Sequence, residues 1–245
     1  MKLEELNAKA LNLITFLFGF GFILISILIG VSKPIGVVLI SIGTSIVASS
    51  IVVYLSSKYL FKQNKIKDII EQWGLINIYR TRAEMNLSCN LELDKVNDRI
   101  DIIAFGLKGF RERHSTLITQ KVKRGLKIRI ISINPNSNFL MQREKDENEI
   151  EGQIKNTIIK LNEWIDELKT HQVQLGQVQI KFYDTLPFDF YFRIDNNIFI
   201  GPYLYGVSSQ QTISFEFSNN SQGFEYYTTY FESIWNDTNL LRNTY

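Results

Sequence analysis

The chain has 245 residues, 27 of them Lys or Arg and 25 of them Asp or Glu, so its formal net charge at pH 7 is only +2. This balance excludes a polycation that binds nucleic acid by charge alone. The single cysteine, Cys89, excludes an internal disulfide and a cysteine metal cluster, and two histidines, His114 and His171, are too few for a three-histidine metal centre. We therefore expect neither a metal ion nor a cofactor.

Two long apolar stretches lie near the start of the chain. Residues 11–31 and residues 35–57 carry no charged side chain, and each is long enough to cross the hydrocarbon core of a bilayer, which takes about 20 helical residues. Only a Ser-Lys-Pro tripeptide separates them, and proline disfavours helix at the residue before it. We therefore predict an antiparallel transmembrane hairpin over residues 1–58.

A cleaved signal peptide is the alternative for the first stretch. The apolar core of a signal peptide is usually about 7–15 residues long, however, and here a second span follows at once. Lysines flank the pair of stretches at positions 2 and 9 before it and at positions 58, 62, 65 and 67 after it, whereas the connection holds only Lys33. The positive-inside rule then predicts a multi-pass protein of the inner (cytoplasmic) membrane with both termini in the cytoplasm.

The second apolar stretch carries a row of small residues, Ser41, Ser45 and Ser49. Small residues at this spacing let two helices approach closely in lipid. The row has two interpretations that the sequence leaves open. It either packs against the first helix of the same hairpin or mediates association of several copies into a homo-oligomer.

The remaining chain has the pattern of a folded α/β domain. Residues 59–72 are polar, with isoleucines at helical spacing, and predict a linker helix that leads into a domain over residues 73–245. Residues 99–107 and 127–133 are apolar runs typical of strands buried on both faces, and the helix between them is expected to end at Gly125. This strand–helix–strand unit predicts a parallel pair of strands joined by a crossover.

The second half of the domain also alternates between predicted helices and predicted strands. Residues 138–171 predict a long charged helix, interrupted near Gly152, and residues 223–236 predict a final amphipathic helix. Between Phe190 and Gly201 a turn of Asp195 and two asparagines predicts a tight hairpin. Further short strands are predicted over residues 74–79, 178–183, 190–194, 198–201 and 212–217. The expected fold is thus a mixed sheet flanked by helices.

Two runs of this domain resemble phospholipase D-like domains. Residues 99–137, RIDIIAFGLKGFRERHSTLITQKVKRGLKIRIISINPNS, are similar to the opening of that family, a strand, a small turn, a helix, a glycine and a strand closed by asparagine or proline. Residues 190–206, FYFRIDNNIFIGPYLYG, resemble its segment of aspartate, turn, hydrophobic strand and glycine. The resemblance implies a phospholipase D-like α/β fold.

The chain departs from that family at the residues that carry the chemistry. Active members have a His-x-Lys pair followed, after four residues, by an aspartate; the histidine acts as nucleophile or acid, and the lysine holds the phosphate. If Asp195 takes the aspartate place, Phe188 and Phe190 take the other two places. His114 lies in another segment, and His171 precedes no lysine at the required spacing. The resemblance therefore implies the fold more than the activity.

Charged residues flank the predicted strands where this fold would form a cleft; they are Arg80, Arg82, Lys108, Arg193 and Asp195. Arginine suits a phosphate because its planar guanidinium donates two parallel hydrogen bonds. The helix that follows the turn at Lys108 presents free N–H groups, which favour an anion. We hypothesise a phosphate-bearing ligand held by the four basic residues. The alternative is solvated surface charge, with Arg193 and Asp195 as a weak surface pair.

Three functions fit these features. The first is a membrane-anchored sensor or effector whose domain binds a nucleotide-like or phosphorylated ligand, or another protein, and acts on the bilayer through the hairpins of a homo-oligomer. Its layout resembles that of small two-span bacterial immune effectors, which makes antiphage defence by membrane disruption one hypothesis. The second is a membrane-tethered phosphodiesterase, a phospholipase or nuclease, with a non-standard active site. The third is a scaffold that only recruits partners.

Overall fold

A computed structural model describes residues 3–147, 149–186 and 188–242 of the chain, with side chains except in residues 3–9 and 60–65. The contacts define two compact units that divide between Ile69 and Ile70. The first unit holds helix α1 (Leu3–Ile29) and most of helix α2 (Pro34–Trp73). The second unit is an α/β domain.

The two helices of the first unit form an antiparallel hairpin that depends on close approach of the backbones. A Cβ atom built on Gly43 would lie 2.8 Å from the carbonyl oxygen of Gly19, so only glycine fits there. Nearer the connection, the hydroxyl of Ser26 donates a 2.7 Å hydrogen bond to the carbonyl oxygen of Gly36. These contacts fix the register, with Gly19 opposite Gly43 and Ser26 opposite Gly36.

Apolar side chains cover the outside of the hairpin. The segments Ala10–Ile29 and Pro34–Tyr59 are each long and apolar enough to cross a membrane. Leu28 is 85% exposed, and Phe18 and Ile35 are each 66% exposed. A continuous apolar surface of this kind is unusual on a protein in water, and contact with lipid would cover it.

Helix α2 continues past the apolar stretch without a break. Residues 59–72, predicted as a linker helix, form its carboxyl-terminal part. The change from apolar to charged residues does not end the helix, because lysine, glutamine and glutamate are good helix formers. The sequence has neither glycine nor proline between Gly43 and Gly74, and the chain leaves the helix at Gly74, where φ is +65°.

The row Ser41, Ser45 and Ser49 lies on the exposed side of α2, whereas Gly43 and Ser50 are buried in the hairpin. The hydroxyl of Ser45 donates to the carbonyl oxygen of Ser41 within the same helix, at 2.8 Å. The row therefore faces away from α1, which leaves it open to a second hairpin. Association of several copies through this row stays a prediction.

Replacing Gly43 by leucine is expected to force the two helices of the hairpin apart. Overpacking of a close contact typically costs about 1–3 kcal/mol. The full-length Gly43→Leu variant in detergent should therefore lose its helical signal at a lower temperature than the wild type. Gly21→Leu is the matched control, because a Cβ atom at Gly21 meets no atom of the described residues within 4 Å. Equal thermal stability of the two variants would contradict this packing.

Within the described residues the second unit is an eight-stranded mixed sheet flanked by helices. Its strands are β1 (Leu75–Tyr79), β2 (Arg99–Ile103), β3 (Lys127–Ile133), β4 (Val178–Tyr183), β5 (Phe190–Ile194), β6 (Asn197–Gly201), β7 (Ser214–Ser218) and β8 (Leu241–Arg242). Its helices are α3 (Arg82–Lys95), α4 (Lys108–Val122), α5 (Asn138–Asp146), α6 (Gln153–Lys169) and α7 (Gln222–Trp235). The order across the sheet is β1-β7-β6-β5-β2-β3-β4-β8.

Strand direction decides which ends of the strands meet. Strands β2, β3 and β4 run parallel, whereas β5, β6 and β7 alternate in direction. The carboxyl ends of β1, β2, β3, β4 and β6 and the amino ends of β5 and β7 therefore share one edge, which we call the carboxyl edge. The parallel and antiparallel halves of the sheet meet between β2 and β5. In open α/β sheets, ligands bind at such switch points beyond the carboxyl ends of the strands.

The strand predictions over residues 127–133, 178–183 and 190–194 are confirmed at both ends. The predicted strand over residues 99–107 is too long: β2 ends at Ile103, and the left-handed conformation of Leu107, with φ +48°, turns the chain into α4. Strand β8 and a short 3-10 helix, Ser209–Gln211, were not predicted.

The predicted long helix over residues 138–171 is divided into α5 and α6. Gly152 adopts φ +79°, which a residue with a side chain rarely does, and the chain changes direction there. The buried carboxylate of Glu144 caps α6 by accepting hydrogen bonds from the N–H groups of Gly152 at 2.8 Å, Ile154 at 2.7 Å and Lys155 at 3.1 Å. The amino terminus of α6 thus already holds an anion.

Helices cover both faces of the sheet. Helices α3, α4 and α6 pack on one face and α7 packs on the other, where Tyr191 stacks on Phe231 at 5.2 Å. Arg129 of β3 fixes α7 by donating to Asp101 of β2 at 2.7 Å and to Glu232 of α7 at 2.6 Å. This ion cluster therefore has a structural role, because it holds α7 against the sheet.

Candidate functional site

Arg82 is buried at the carboxyl edge of the sheet. The hydroxyl of Thr81 accepts a hydrogen bond from the N–H of Glu84 at 3.2 Å, so α3 begins directly after β1, and the side chain of Arg82 in its first turn points inward. Only 4% of Arg82 is exposed. Its guanidinium carbon lies 4.1 Å from the ring centroid of Phe190 and 4.8 Å from that of Tyr203. These aromatic faces offset part of the cost of burying a cation.

The hydrogen bonds of Arg82 are incomplete. Nη2 donates to the hydroxyl of Thr212 at 3.3 Å, but Nε has no hydrogen-bond partner among the described residues. Burial lowers the pKa of Arg82 from its usual value of 12.5, yet arginine stays protonated in proteins. A buried charge with an unused donor is costly unless something accepts from it.

A second buried arginine, Arg143 of α5, lies beside the same ring. Its guanidinium carbon is 5.2 Å from the ring centroid of Tyr203, and Nη1 donates to the carbonyl oxygen of Leu204 at 3.0 Å. Nη2 forms an ion pair with Glu147, one helical turn further on. Its Nε, like that of Arg82, finds no acceptor in the part of the chain that the structure describes. We call Arg82, Arg143 and Tyr203, with Glu147 and Thr212, the arginine cluster.

Two acidic residues balance the charge of the arginine cluster. The carboxylate of Glu147 is buried and accepts from the hydroxyl and the N–H of Ser209, at 2.8 and 3.2 Å. Asp189, directly before β5, is exposed at its surface, and partial burial raises its pKa while the charge of Arg82 lowers it to a smaller extent. Burial likewise raises the pKa of Tyr203. The cluster is therefore a low-dielectric site in which both guanidinium groups keep donors for an anion.

The cluster lies where the two halves of the sheet meet. Phe105 follows β2 and Tyr203 follows β6, and their rings are 4.6 Å apart. Phe188, which the family resemblance aligns with the histidine, packs on Tyr183 at 4.6 Å. Phe190, aligned with the lysine, lies under the guanidinium of Arg82. The guanidinium of Arg82, in α3, therefore lies beside the position that the resemblance aligns with the lysine of active family members.

The structure does not bring the predicted ligand residues together. Arg193 and Asp195 lie at the opposite edge, because β5 is antiparallel to β2 and Arg193 pairs in register with Asp101. At about 3.4 Å per residue, Phe190 and Arg193 are roughly 10 Å apart along the strand, and Arg193 lies on the other face of the sheet, over the ring of Phe224 of α7. One phosphate group therefore does not reach both Arg82 and Arg193, which corrects the expectation of a shared cleft.

The remaining two predicted residues also lie outside the arginine cluster. Arg80 is exposed, and its N–H donates to the carboxylate of Glu84 at 3.0 Å. Lys108 begins α4 and lines a different, open cavity of about 370 Å³ between α4 and α6. That cavity holds basic and acidic side chains together; they are Lys108, Arg111, Lys160, Glu112 and Glu151. Of the predicted basic residues, Arg82 is the one that lies in a buried site.

Asp195 has a structural role in the hairpin between β5 and β6. Its carboxylate accepts hydrogen bonds from the N–H groups of Asn97 at 2.8 Å, Asp98 at 3.0 Å and Arg99 at 2.8 Å, which fixes the start of β2. Asp195 also adopts φ +44°, as aspartate and asparagine do more readily than most residues. Its position predicts an effect on stability and none on ligand binding.

Asp195→Ala is expected to lower the free energy of unfolding of the full-length chain by about 2 kcal/mol, since three N–H groups lose a charged acceptor and the left-handed turn loses a favourable residue. Urea unfolding in detergent measures this. Asp195→Asn keeps the turn preference and an acceptor oxygen, so it should lose less. A loss of stability below about 0.5 kcal/mol in the alanine variant would contradict this role.

Comparisons with known proteins give distant structural likeness. No protein-family model and no curated protein matches the chain. TrmBL2, an archaeal chromatin protein, matches at 12% identity and a TM-score of 0.42 over 79% of this chain and 67% of its own. NucT from Helicobacter pylori matches at 10% and 0.40 over 65% of this chain and 94% of its own. The phosphatidylserine synthase of Haemophilus influenzae Rd KW20 matches at 11% and 0.43 over 64% of this chain and 36% of its own.

At these identities and TM-scores the likeness assigns neither a family nor an activity to the chain. The fold itself defines a protein with two apolar N-terminal helices, each able to cross a membrane by length and composition, and a mixed-sheet α/β domain. The arginine cluster at the carboxyl edge is the feature of that domain best suited to bind an anion.

Proposed function

We propose that the chain is a membrane-anchored sensor or effector whose phospholipase D-like α/β domain binds a phosphate-bearing ligand at the arginine cluster and acts through the N-terminal hairpin. The observation that carries this proposal is the buried guanidinium of Arg82, held between two aromatic rings with an unused Nε donor. A second buried arginine on the other side of Tyr203 adds a further unused donor.

Phosphate is the ligand group that best fits two buried guanidinium groups. Each presents N–H donors in a planar fork that matches oxyanion geometry. A phosphate carries more acceptor oxygens than a carboxylate and up to two negative charges, so it has room to accept from Arg82 and Arg143 together. The aromatic rings of Phe190 and Tyr203 would hold both arginines in place before the ligand arrives, which reduces the entropy lost on binding.

The phospholipase D-like part of the proposal rests on sequence and topology. Residues 99–137 form the expected strand, helix and parallel strand, and residues 190–206 hold the hairpin with its aspartate turn. The replacement of the family's histidine and lysine by Phe188 and Phe190 favours binding over catalysis in that place. A sensor needs the ligand pocket of an enzyme but not its nucleophile.

The membrane part rests on the two apolar helices and their flanking charge. Their exposed side chains require lipid or a second copy as cover, and the lysine distribution favours cytoplasmic termini. In this arrangement the α/β domain is cytoplasmic, the hairpins of a homo-oligomer meet through Ser41, Ser45 and Ser49, and ligand binding changes how they pack. Antiphage defence by membrane disruption is one use of such a device.

Binding of pyrophosphate to the full-length chain in detergent tests the ligand site by calorimetry. Arg82→Gln is expected to weaken the affinity at least tenfold, because a charged hydrogen bond to a buried phosphate is worth about 1.5–3 kcal/mol. Arg193→Gln, at the opposite edge of the sheet, is the matched control and should bind like the wild type. Near-ultraviolet circular dichroism checks that both variants are folded. Equal affinities of the two variants, or no binding by the wild type, would refute the proposed site.

A membrane-tethered phosphodiesterase is the second candidate, and Asp189 is the observation that favours it. A carboxyl group whose pKa is raised by burial suits a general acid, and Asp189 lies close enough to Arg82 for their charges to interact. Hydrolysis of bis(p-nitrophenyl) phosphate by the wild type, lost in both Asp189→Asn and Arg82→Gln, would favour this function over binding alone.

Membrane disruption is tested with dye-filled vesicles that contain the full-length chain. Ser45→Leu is expected to reduce dye release severalfold, because a bulky side chain prevents close approach of neighbouring hairpins through the serine row. Thr44→Leu is the control, since Thr44 is also an exposed hydroxyl residue of α2 that bonds within its own helix but lies about 100° around the helix from Ser45. If the two variants release dye equally, the row does not mediate association, and if the wild type releases none, the effector mechanism is wrong.

A further inference from the structure

The carboxylate of Glu147 already occupies part of the arginine cluster. It forms an ion pair with Nη2 of Arg143, and it accepts hydrogen bonds from the hydroxyl of Ser209 at 2.8 Å and from the N–H of Ser209 at 3.2 Å. Its side chain is only 4% exposed. A guanidinium, a hydroxyl and a backbone N–H are the donors that proteins use for phosphate oxygens. The chain thus places its own anion on donors of the kind that a ligand phosphate needs.

This internal anion satisfies the cluster only in part. Glu147 engages Arg143, while the Nε atoms of Arg82 and Arg143 both remain without an acceptor in the described residues. Arg82 is linked to the same place indirectly, because the Thr212 hydroxyl that accepts from it donates to the carbonyl oxygen of Ser209 at 3.1 Å. A ligand with more acceptor oxygens than one carboxylate would satisfy both arginines at once.

We infer that Glu147 is an autoinhibitory plug, an internal substitute for phosphate that a phosphate-bearing ligand displaces from Arg143 and Ser209. The inference rests on the proposed function and names the regulation of the same site. The plug keeps the empty cluster stable and sets a threshold, because the ligand must outcompete a carboxylate that is already in place.

Displacement of the plug has a defined path to the rest of the domain. Ser209 begins the short 3-10 helix Ser209–Gln211, and Gln210 in it accepts a 3.0 Å hydrogen bond from Asn86 of α3. The same helix α3 carries Arg82 in its first turn. When the ligand displaces Glu147 from Arg143, Ser209 also exchanges its hydrogen bonds to Glu147 for bonds to the ligand. The 3-10 helix, which connects Glu147 to α3, is then free to shift.

Glu147→Gln tests the plug, because it removes the negative charge and keeps the shape of the side chain. Pyrophosphate should bind to the full-length Glu147→Gln variant at least tenfold more tightly than to the wild type. Asp146→Asn is the matched control: it removes one negative charge from the neighbouring residue, whose carboxylate accepts from Gln142 instead. A gain in pyrophosphate affinity that came from the overall charge would appear in both variants. A gain that comes from removing the Glu147 carboxylate appears in Glu147→Gln alone.

Glu147→Asp provides a second, charge-neutral test. The shorter side chain withdraws the carboxylate from Arg143 and Ser209, so a smaller gain in affinity is expected at unchanged net charge. If Glu147→Gln and Glu147→Asp bind pyrophosphate no more tightly than Asp146→Asn while binding still depends on Arg82, Glu147 is a structural ion-pair partner and the plug is refuted. Binding that does not depend on Arg82 refutes the proposed site instead.

Discussion

The burial of the Arg82 guanidinium between Phe190 and Tyr203 is the interaction on which the arginine cluster depends. A cation out of contact with water is stable only where aromatic faces, hydrogen-bond acceptors or a counter-ion replace the lost hydration. The fold supplies two rings and the hydroxyls of Thr212 and Tyr203, and it leaves the Nε donor unused among the described residues. The unused Nε donor indicates an anion as the missing partner. Arg143, beside the same Tyr203 ring, has an unused Nε donor as well.

Each contributor to the cluster comes from a different part of the chain, and the sheet brings them together. Helix α3 supplies Arg82 because it begins directly after β1, and α5 supplies Arg143 because it follows β3. The rings come from the start of β5 and the end of β6, which meet because these two strands are antiparallel. The site therefore forms only when the whole sheet is complete, which couples the binding of a ligand to the folding of the domain.

The strands that are continuous apolar runs could be predicted from the sequence, because such runs have few other stable places in a fold. The sequence points to Arg82 but not to Arg143 and Glu147, because these two belong to a run of five charged residues, 143–147, that looks solvated. The loop around Tyr203 and Leu204, distant in sequence, buries them. Arg193 was expected to lie beside Arg82, because the spacing of residues along a chain does not reveal at which edge of the sheet a strand ends. The strand pairing of β5 decides that point.

Anion binding at the arginine cluster is tested most directly by an experimental structure of the full-length chain with pyrophosphate. We expect a phosphate within hydrogen-bond distance of the Nε atoms of Arg82 and Arg143, with Glu147 displaced from Ser209. A phosphate bound in the open cavity at Lys108, or at the opposite edge beside Arg193, with the arginine cluster unchanged, would contradict it.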